Sequence, residues 1–225
     1  RMMNEKGLIS RIRAFISWQK LHYYERFMMR RFQSITVVSK LEVDFIRSML
    51  RDKACRVEVI SNGVDTTYNQ PGLVPSCARS LVYNGPLGYS ANYDAMRYFL
   101  DEIYPIVKRE VPDVSMTITG SIKGVDLSRL ALDDSVTLTG YVRDVRIPVA
   151  KASICVVPLR QGGGTRLKIL EAMALGTPVI ATSKGAEGLQ VTHGQDILIA
   201  DSTEQFAQQV MRLLKDAKMR KRLAI

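Results

Sequence analysis

The sequence has few of the residues that build disulfide frameworks, metal sites or membrane spans. Its 225 residues include three cysteines and two histidines. Cys55, Cys77 and Cys155 form no C-x-x-C pattern, which argues against a disulfide framework or zinc site and favours a reducing cytoplasm. His22 and His193 lack metal-ligand spacing. No apolar run reaches the roughly 20 residues of a transmembrane helix, and charges interrupt the start too often for a signal peptide.

Positive charge is concentrated at the two ends of the chain. The net charge is +10, of which residues 1–31 contribute +6 and residues 215–225 contribute +4, while residues 32–214 are neutral. A protein that binds a nucleic-acid backbone needs basic residues clustered on its folded body. The charge pattern therefore argues against nucleic acid as a partner.

The first strongly patterned segment is a helix predicted over residues 8–32. Its apolar residues form a broad stripe at helical spacing and are mixed with Arg and Lys. The favoured interpretation is a helix that packs on protein, in this chain or in a part beyond it. The alternative is a basic amphipathic helix that makes a peripheral contact at the inner face of an anionic membrane.

From Ser34 onward, short β-rich runs alternate with helical patterns. This alternation predicts an α/β fold in which a doubly wound parallel sheet is covered by helices on both faces, with an N-terminal helical appendage. Turn residues mark 61–80 as a linker. The predicted strands are 35–38, 57–60, 81–83, 115–119, 136–139, 154–157, 179–182 and 197–200. The predicted helices are 41–50, 93–110, a short piece after Asp126, 142–151, 166–175 and 203–215.

The stretch from Ser153 to Pro178 carries the clearest chemical signal. A β-type run is followed by a loop containing Gly162, Gly163 and Gly164 and then by a helical pattern. Such a loop lets backbone N–H groups approach an anion, and the helix N-terminus adds unsatisfied donors and partial positive charge. Because three consecutive glycines are costly in conformational entropy, a functional role is favoured. We therefore predict a diphosphate site in this loop.

Three further features suit a nucleotide ligand at the carboxyl edge of such a sheet. Glu171 lies too deep in its helix to cap it, so its carboxylate suits a pair of ribose hydroxyls. Gly85 lies in the loop 84–92, which either approaches a ligand or is a plain turn. Tyr141 and Val142 follow a predicted strand and either flank a planar base or simply lie at the sheet edge. Dinucleotide, P-loop and G-x-S-x-G fingerprints are absent from the sequence.

Several segments in a fixed order resemble the donor-binding half of GT-B glycosyltransferases of the family 4 type, the glycosyl transferases group 1. The carrying motifs are VISNGVDT (59–66), LVYNGPLGYSANYDAMRYF (81–99), MTITG (116–120), VTLTGYV (136–142), GTRLKILEAMALGTPVIAT (164–182) and GAEGL (185–189). The resemblance covers about residues 34–215. It implies a hexosyl transfer in polysaccharide biosynthesis, from a nucleotide diphosphate sugar to a glycan or lipid-linked acceptor. It also implies retention of configuration, with neither metal nor cofactor.

The resemblance also assigns roles to individual residues. Glu171 matches the glutamate that holds the donor ribose, the loop from Gly162 to Thr165 matches the segment at the diphosphate and sugar, and Tyr141 and Val142 match the loop that lines the base. A second glutamate common in the family is replaced by Gly163.

An arginine and a lysine that neutralise the diphosphate in many relatives are also missing, near Pro86 and Asn92. We expect Lys168, together with Arg166 or Arg160, to supply the missing positive charge.

The same resemblance predicts the domain organisation. Residues 1–33 would be the closing helix of an acceptor domain, 34–80 an inter-domain segment and linker, and 81–225 the donor domain. The chain is then expected to bind a nucleotide sugar without transferring it, because the catalytic base would lie outside the chain. The alternatives are a non-catalytic nucleotide-sugar-binding module and a GT-B nucleotide-sugar epimerase, against which the scarcity of histidine weighs.

Overall fold

A computed structural model of the chain describes residues 7–50 and 55–224. They form two compact units that divide between Ser61 and Asn62. Residues 1–6 of the predicted acceptor-domain helix lie outside the described residues. Within the described residues, no helix is long and apolar enough to cross a bilayer.

The smaller unit contains two helices and two parallel strands. Its elements are α1 (Leu8–Met29), β1 (Ser34–Val37), α2 (Lys40–Leu50) and β2 (Arg56–Val59). Its small core contains Val37, Val43, Ile46, Leu50 and Val57. Ser39 and Glu42 cap the start of α2: Ser39 Oγ accepts from the Glu42 amide at 3.4 Å, and Glu42 accepts from the Val38 amide at 2.9 Å.

The larger unit is a six-stranded parallel sheet in the order β5-β4-β3-β6-β7-β8. This arrangement confirms the predicted doubly wound α/β fold. The strands are β3 (Ser80–Asn84), β4 (Ser115–Thr119), β5 (Val136–Gly140), β6 (Ile154–Val157), β7 (Val179–Ala181) and β8 (Leu198–Ile199). The helices are α3 (Ser90–Tyr98), α4 (Tyr104–Glu110), α5 (Arg146–Lys151), α6 (Leu167–Ala174), α7 (Thr203–Lys215) and α8 (Ala217–Leu223).

The sheet has an apolar layer on each face. Alternate residues of a strand point to opposite faces, so Leu81 and Tyr83 belong to one core cluster while Val82 belongs to the other. The four residues of β6 are all buried, as expected of a central parallel strand. The first cluster includes helix residues such as Phe99 and Phe206.

Three local features differ from the sequence prediction. The predicted helix 93–110 is instead α3 and α4 joined by a π-helical turn (Phe99–Ile103). Pro105, at the start of α4, has no backbone N–H for a regular i→i−4 bond. The helix α8 is not predicted from the sequence; Asp216 caps it by accepting from the Met219 amide at 2.9 Å. Part of the predicted linker belongs to the larger unit, where the Tyr68 carbonyl accepts from Arg146 at 2.7 Å.

Candidate functional site

The candidate site lies at the carboxyl edge of the six-stranded sheet, where the strand order reverses. β3 lies between β4 and β6, so the chain builds outward from β3 in one direction and from β6 in the other. Ligands of doubly wound sheets bind at such a switch point. The loops that meet there are 85–89, after β3, and 158–166, after β6. These are the two loops whose glycines the sequence analysis singled out.

Lys168, near the start of α6, reaches across the switch point to β3 and α3. Its Nζ donates to Tyr83 Oη at 2.9 Å and to Asn92 Oδ1 at 3.1 Å. Tyr83 also donates to Asn92 Oδ1 at 2.6 Å, and Asn92 donates to the Pro86 carbonyl at 2.9 Å. A Cβ on Gly85 would lie 2.6 Å from Lys168 Nζ, so a side chain there would displace the ammonium. The ammonium is therefore held against the first loop by uncharged acceptors.

Burial lowers the pKa of Lys168 and raises the pKa values of the neighbouring Cys155 and Tyr83. The pKa of Lys168 is lowered to about 8, chiefly because the ammonium is removed from water; the charge of Arg166 lowers it further, while Cys155 and Glu171 oppose the shift. Burial also raises the pKa of the Cys155 thiol to about 12 and raises the pKa of Tyr83. An anion bound beside Lys168 would stabilise its charged form.

Glu171 lies one turn further along α6 and is oriented by β3. Asn84, the last residue of β3, donates its amide to Glu171 Oε2 at 3.2 Å. The glutamate lines a cavity of about 360 Å³, together with Leu167, residues of the segment 63–69 and residues 143–146. At the cavity, the Arg146 guanidinium lies 3.6 Å from the centroid of the Tyr68 ring. The volume is at the lower end of the range for small-molecule sites.

The glycine loop is shaped by a buried arginine. Arg166 is only 6% exposed and donates to the carbonyls of Gly163 and Gly162, each at 2.9 Å. Gly162 and Gly164 have φ angles of +103° and +80°, which side chains other than glycine rarely adopt. The glycines allow this loop conformation, and the Arg166 guanidinium stabilises it through the two carbonyls.

The remaining predicted residues are more scattered. Arg160 pairs with Asp94, at 2.8 Å for the shorter contact, and lies 4.3 Å from the Tyr98 ring centroid. Thr165 Oγ1 accepts from the Asn62 amide at 2.9 Å. Lys168 is thus the predicted cation that the structure places at the switch point with neither a carboxylate nor loop carbonyls as partners.

Tyr141 and Val142 are not brought to the Glu171 cavity. The Tyr141 side chain is 84% exposed, and Val142 lines a separate groove over β3, β4 and β5. In their place, Arg143 from the same loop and Arg146 at the start of α5 line the cavity. Among residues 7–50 and 55–224, no group of three or more His, Cys, Asp or Glu side chains could hold a metal ion.

Some site residues were not identified from the sequence. Asn84 meets Glu171 through the order of the strands, whereas Tyr68 and Arg146 meet each other at the wall of the cavity. Asn84 could have been predicted as a site residue, because it is a polar residue at the end of a central strand. Tyr68 could not, because it lies in the segment that the sequence predicts as a linker.

The strand order and the loops at the switch point define a doubly wound domain of the nucleotide-binding type. The chain belongs to the family described as Glycosyl transferases group 1, whose model matches residues 78–216. The predicted relationship to GT-B glycosyltransferases is thereby confirmed.

Two curated relatives show how much of the sequence is similar to known proteins. A Klebsiella pneumoniae protein named "Uncharacterized 44.6 kDa protein in cps region" is 26% identical over 64% of this chain and 39% of its own length. A Mycobacterium tuberculosis protein named GDP-mannose-dependent alpha-(1-6)-phosphatidylinositol monomannoside mannosyltransferase is 33% identical over 50% of this chain and 33% of its own length. The chain therefore aligns with between a third and two fifths of these relatives.

The fold likeness covers more of the chain. The structure of Anabaena HepE in complex with UDP and glucose has a TM-score of 0.73 and 16% identity, over 92% of this chain and 60% of that one. At this identity the comparison establishes the common fold.

Proposed function

We propose that this chain is the donor-binding part of a glycosyltransferase and binds a nucleotide diphosphate sugar at the β3–β6 switch point. The observation that carries the proposal is Glu171, oriented by Asn84 at the wall of a cavity and one helical turn from the Lys168 ammonium. Glu171 would accept from the ribose hydroxyls. Lys168 and the loop from Gly162 to Thr165 would bind the diphosphate.

The geometry suggests where the nucleoside lies. Its base would enter the 360 Å³ cavity, whose Arg143 and Arg146 edge follows β5. In this placement the segment after β5 still contacts the base, as the sequence predicts. The contacting residues are Arg143 and Arg146, however, and not Tyr141 and Val142. Arg160 and Arg166 support the loops in this proposal, because Asp94 and the loop carbonyls occupy their donors.

Calorimetric titration with UDP, GDP, UDP-glucose and GDP-mannose tests the donor site. Glu171→Ala should cost about 1.5–3 kcal/mol, roughly tenfold or more in affinity, because a charge-assisted bond to ribose is lost. The matched control is Glu110→Ala, at the opposite edge of the sheet, which should leave affinity unchanged. Binding of no nucleotide by the unmodified chain would refute the proposal, and unaltered affinity in the Glu171 variant would remove this residue from the site.

For the whole protein we propose sugar transfer to a glycan or lipid-linked acceptor, with retention and without metal. The support is the family membership and the resemblance, and in this proposal the catalytic base lies outside this chain. An NMR assay of the anomeric product, run with and without EDTA on the longer protein, tests both points. Inversion, or loss of activity with EDTA, would contradict them.

The exposed apolar residues of α1 support a contact between this helix and another molecule or another part of the protein. Among the described residues, none of α1 is buried, and Ile9, Trp18 and Tyr23 are all about half exposed or more. We propose packing on protein, because the apolar residues of α1 are spread round the helix and do not form the stripe that the sequence spacing predicts. An interfacial membrane helix needs one apolar face. Co-sedimentation with anionic phosphatidylglycerol vesicles should therefore show no more binding than with neutral phosphatidylcholine vesicles. Binding that depends on the anionic lipid would favour the membrane alternative.

A further inference from the structure

The loop that follows β7, residues 182–187, is fixed tightly to the carboxyl end of β6. Thr182 Oγ1 donates to the Leu159 carbonyl and accepts from the Gly185 amide at 2.8 Å. A Cβ on Gly185 would lie 2.6 Å from the Val157 carbonyl oxygen, so only glycine fits this close approach. This loop, called the β7 loop below, is therefore a rigid part of the same edge of the sheet.

Arg166 connects the β7 loop to the glycine loop. The guanidinium that donates to the carbonyls of Gly162 and Gly163 also reaches the Lys184 carbonyl, at 3.5 Å. One buried side chain thus contacts both loops. The β7 loop is consequently the neighbour of the glycine loop on the side of β7, away from β3 and the Glu171 cavity.

The two loops offer different chemistry. Residues 158–166 contain no carboxylate, and a Cβ on Gly163 or Gly164 would find no atom within 4 Å. The β7 loop contains Lys184 and Glu187, which form an ion pair and have side chains that are 38% and 37% exposed. A carboxylate with one ammonium partner keeps further acceptor positions, and hydrogen bonds to an ionised oxygen are strong.

Nearby carboxylates have other partners. Asp94 accepts from Arg160, and Asp201 accepts from the amide and hydroxyl of Ser183. Asp196 accepts from the Thr192 amide. Glu187 is paired only within the β7 loop, with Lys184, and its partly exposed carboxylate lies on the loop beside a glycine loop that has no acidic side chain.

We propose that Glu187 and Lys184 bind hydroxyl groups of the sugar carried by the donor. The inference rests on the proposed function: with the nucleoside at Glu171 and the diphosphate at Lys168, the sugar extends past the glycine loop toward the β7 loop. Glu187 accepts from two sugar hydroxyls, and Lys184 holds the carboxylate in place and donates to a third. The pair thereby replaces the acidic side chain that Gly163 lacks, and it selects the sugar rather than the nucleotide.

The test compares a nucleotide sugar with its nucleoside diphosphate by calorimetry, using UDP-glucose with UDP and GDP-mannose with GDP. Glu187→Gln should weaken the nucleotide sugar about tenfold, as expected for loss of a charge-assisted bond, and leave the nucleoside diphosphate within about twofold. Glu110→Gln is the matched control and should change neither affinity. Thermal unfolding of each variant checks that the fold is intact.

A second variant keeps the test decisive if Glu187→Gln unfolds. Lys184→Met retains the carboxylate but removes its partner, and it should also weaken the nucleotide sugar alone. Equal losses for the nucleotide sugar and the nucleoside diphosphate would overturn the inference, as would no loss for either. If nucleotides bind in a Glu171-dependent manner while both β7-loop variants are normal, only this inference fails; if the unmodified chain binds no nucleotide, the proposed function fails with it.

Discussion

Lys168 carries its charge in surroundings that are largely shielded from water. Its partners are a phenol and an amide oxygen, and Asn92 stands near the position where the resemblance would place a lysine. In this chain the cation is therefore Lys168 of α6, which reaches across the switch point. Asn92, near the position of the missing lysine, accepts a hydrogen bond from it. Such an ammonium gains an anionic partner only when a ligand binds.

Binding of a nucleoside diphosphate should consequently depend on pH in the alkaline range. The pKa of Lys168 is lowered to about 8 by burial, so the free protein loses this proton as the pH rises through 8. The diphosphate is already ionised above neutral pH, since phosphate monoesters have a second pKa of about 6. We expect affinity for UDP or GDP to fall between about pH 7 and pH 8.5, with proton uptake on binding near pH 8.

Calorimetry in buffers of different ionisation enthalpy measures that uptake directly. Lys168→Met keeps most of the apolar stem and should abolish both the uptake and the alkaline loss of affinity. Binding of the free nucleosides should not change between about pH 7 and pH 8.5 in either protein, because the uracil and guanine rings keep their N–H protons in that range. A pH profile that is the same in the variant would assign the titration to another group.

At the residue scale, the sequence identified side chains but not their contacts. Glu171 and the glycine loop were predictable because helix depth and loop composition are local properties. The bond between Asn84 and Glu171 joins residues 87 positions apart and exists because β3 and β6 are neighbours. Nothing local to either segment specifies that neighbour relation.

Among the secondary-structure elements, the junction between β4 and β5 controls the shape of the β3 loop. Gly120, just after β4, has a φ of +118° and donates to the Gly140 carbonyl at 3.0 Å. A Cβ there would lie 2.7 Å from the carbonyl carbon of Gly85 and the nitrogen of Pro86. Backbone atoms, unlike the end of a flexible side chain, cannot move aside cheaply.

Gly120→Ala should therefore destabilise the larger unit by more than about 2 kcal/mol, through backbone strain and overlap together. Urea unfolding monitored by circular dichroism measures the change. Gly163→Ala is the matched substitution, because this glycine has no positive φ and no neighbour within 4 Å; its effect should stay within about 1 kcal/mol. Similar destabilisation by both variants would contradict the assignment of the close approach.

Element type was easier to predict than element detail. The eight strands of the described residues were predicted because β-branched runs end at turn residues. The predicted helix 203–215 is also present as α7, whose cap Ser202 accepts from the Gln205 amide at 3.2 Å. The π-helical turn was not predicted, because a proline four residues after Asp101 alters the hydrogen-bond ladder without changing the apolar spacing. α8 was not predicted because its short sequence is dominated by charge, and burial of Met219 and Leu223 stabilises it.

For the molecule as a whole, the family match and every proposed donor contact fall within the larger unit. The match covers residues 78–216, whereas the unit begins at Asn62. Residues 62–80 are more than a connection, since Asn62 binds Thr165 and the Cys77 amide donates to the Lys151 carbonyl at 2.7 Å. Tyr68 and Asn69 also line the Glu171 cavity.

These contacts make the position of the domain boundary testable. A fragment of residues 62–225 keeps the whole switch point and its cavity, so it should fold cooperatively and bind UDP or GDP within about twofold of the complete chain. A fragment of residues 81–225, cut where the sequence analysis placed the boundary, loses the cavity wall and the bond to Thr165. It should unfold at lower temperature and bind nucleotides at least about tenfold more weakly. Equal stability and affinity of the two fragments would instead establish residues 62–80 as a linker, because their contacts would then contribute nothing to the donor site.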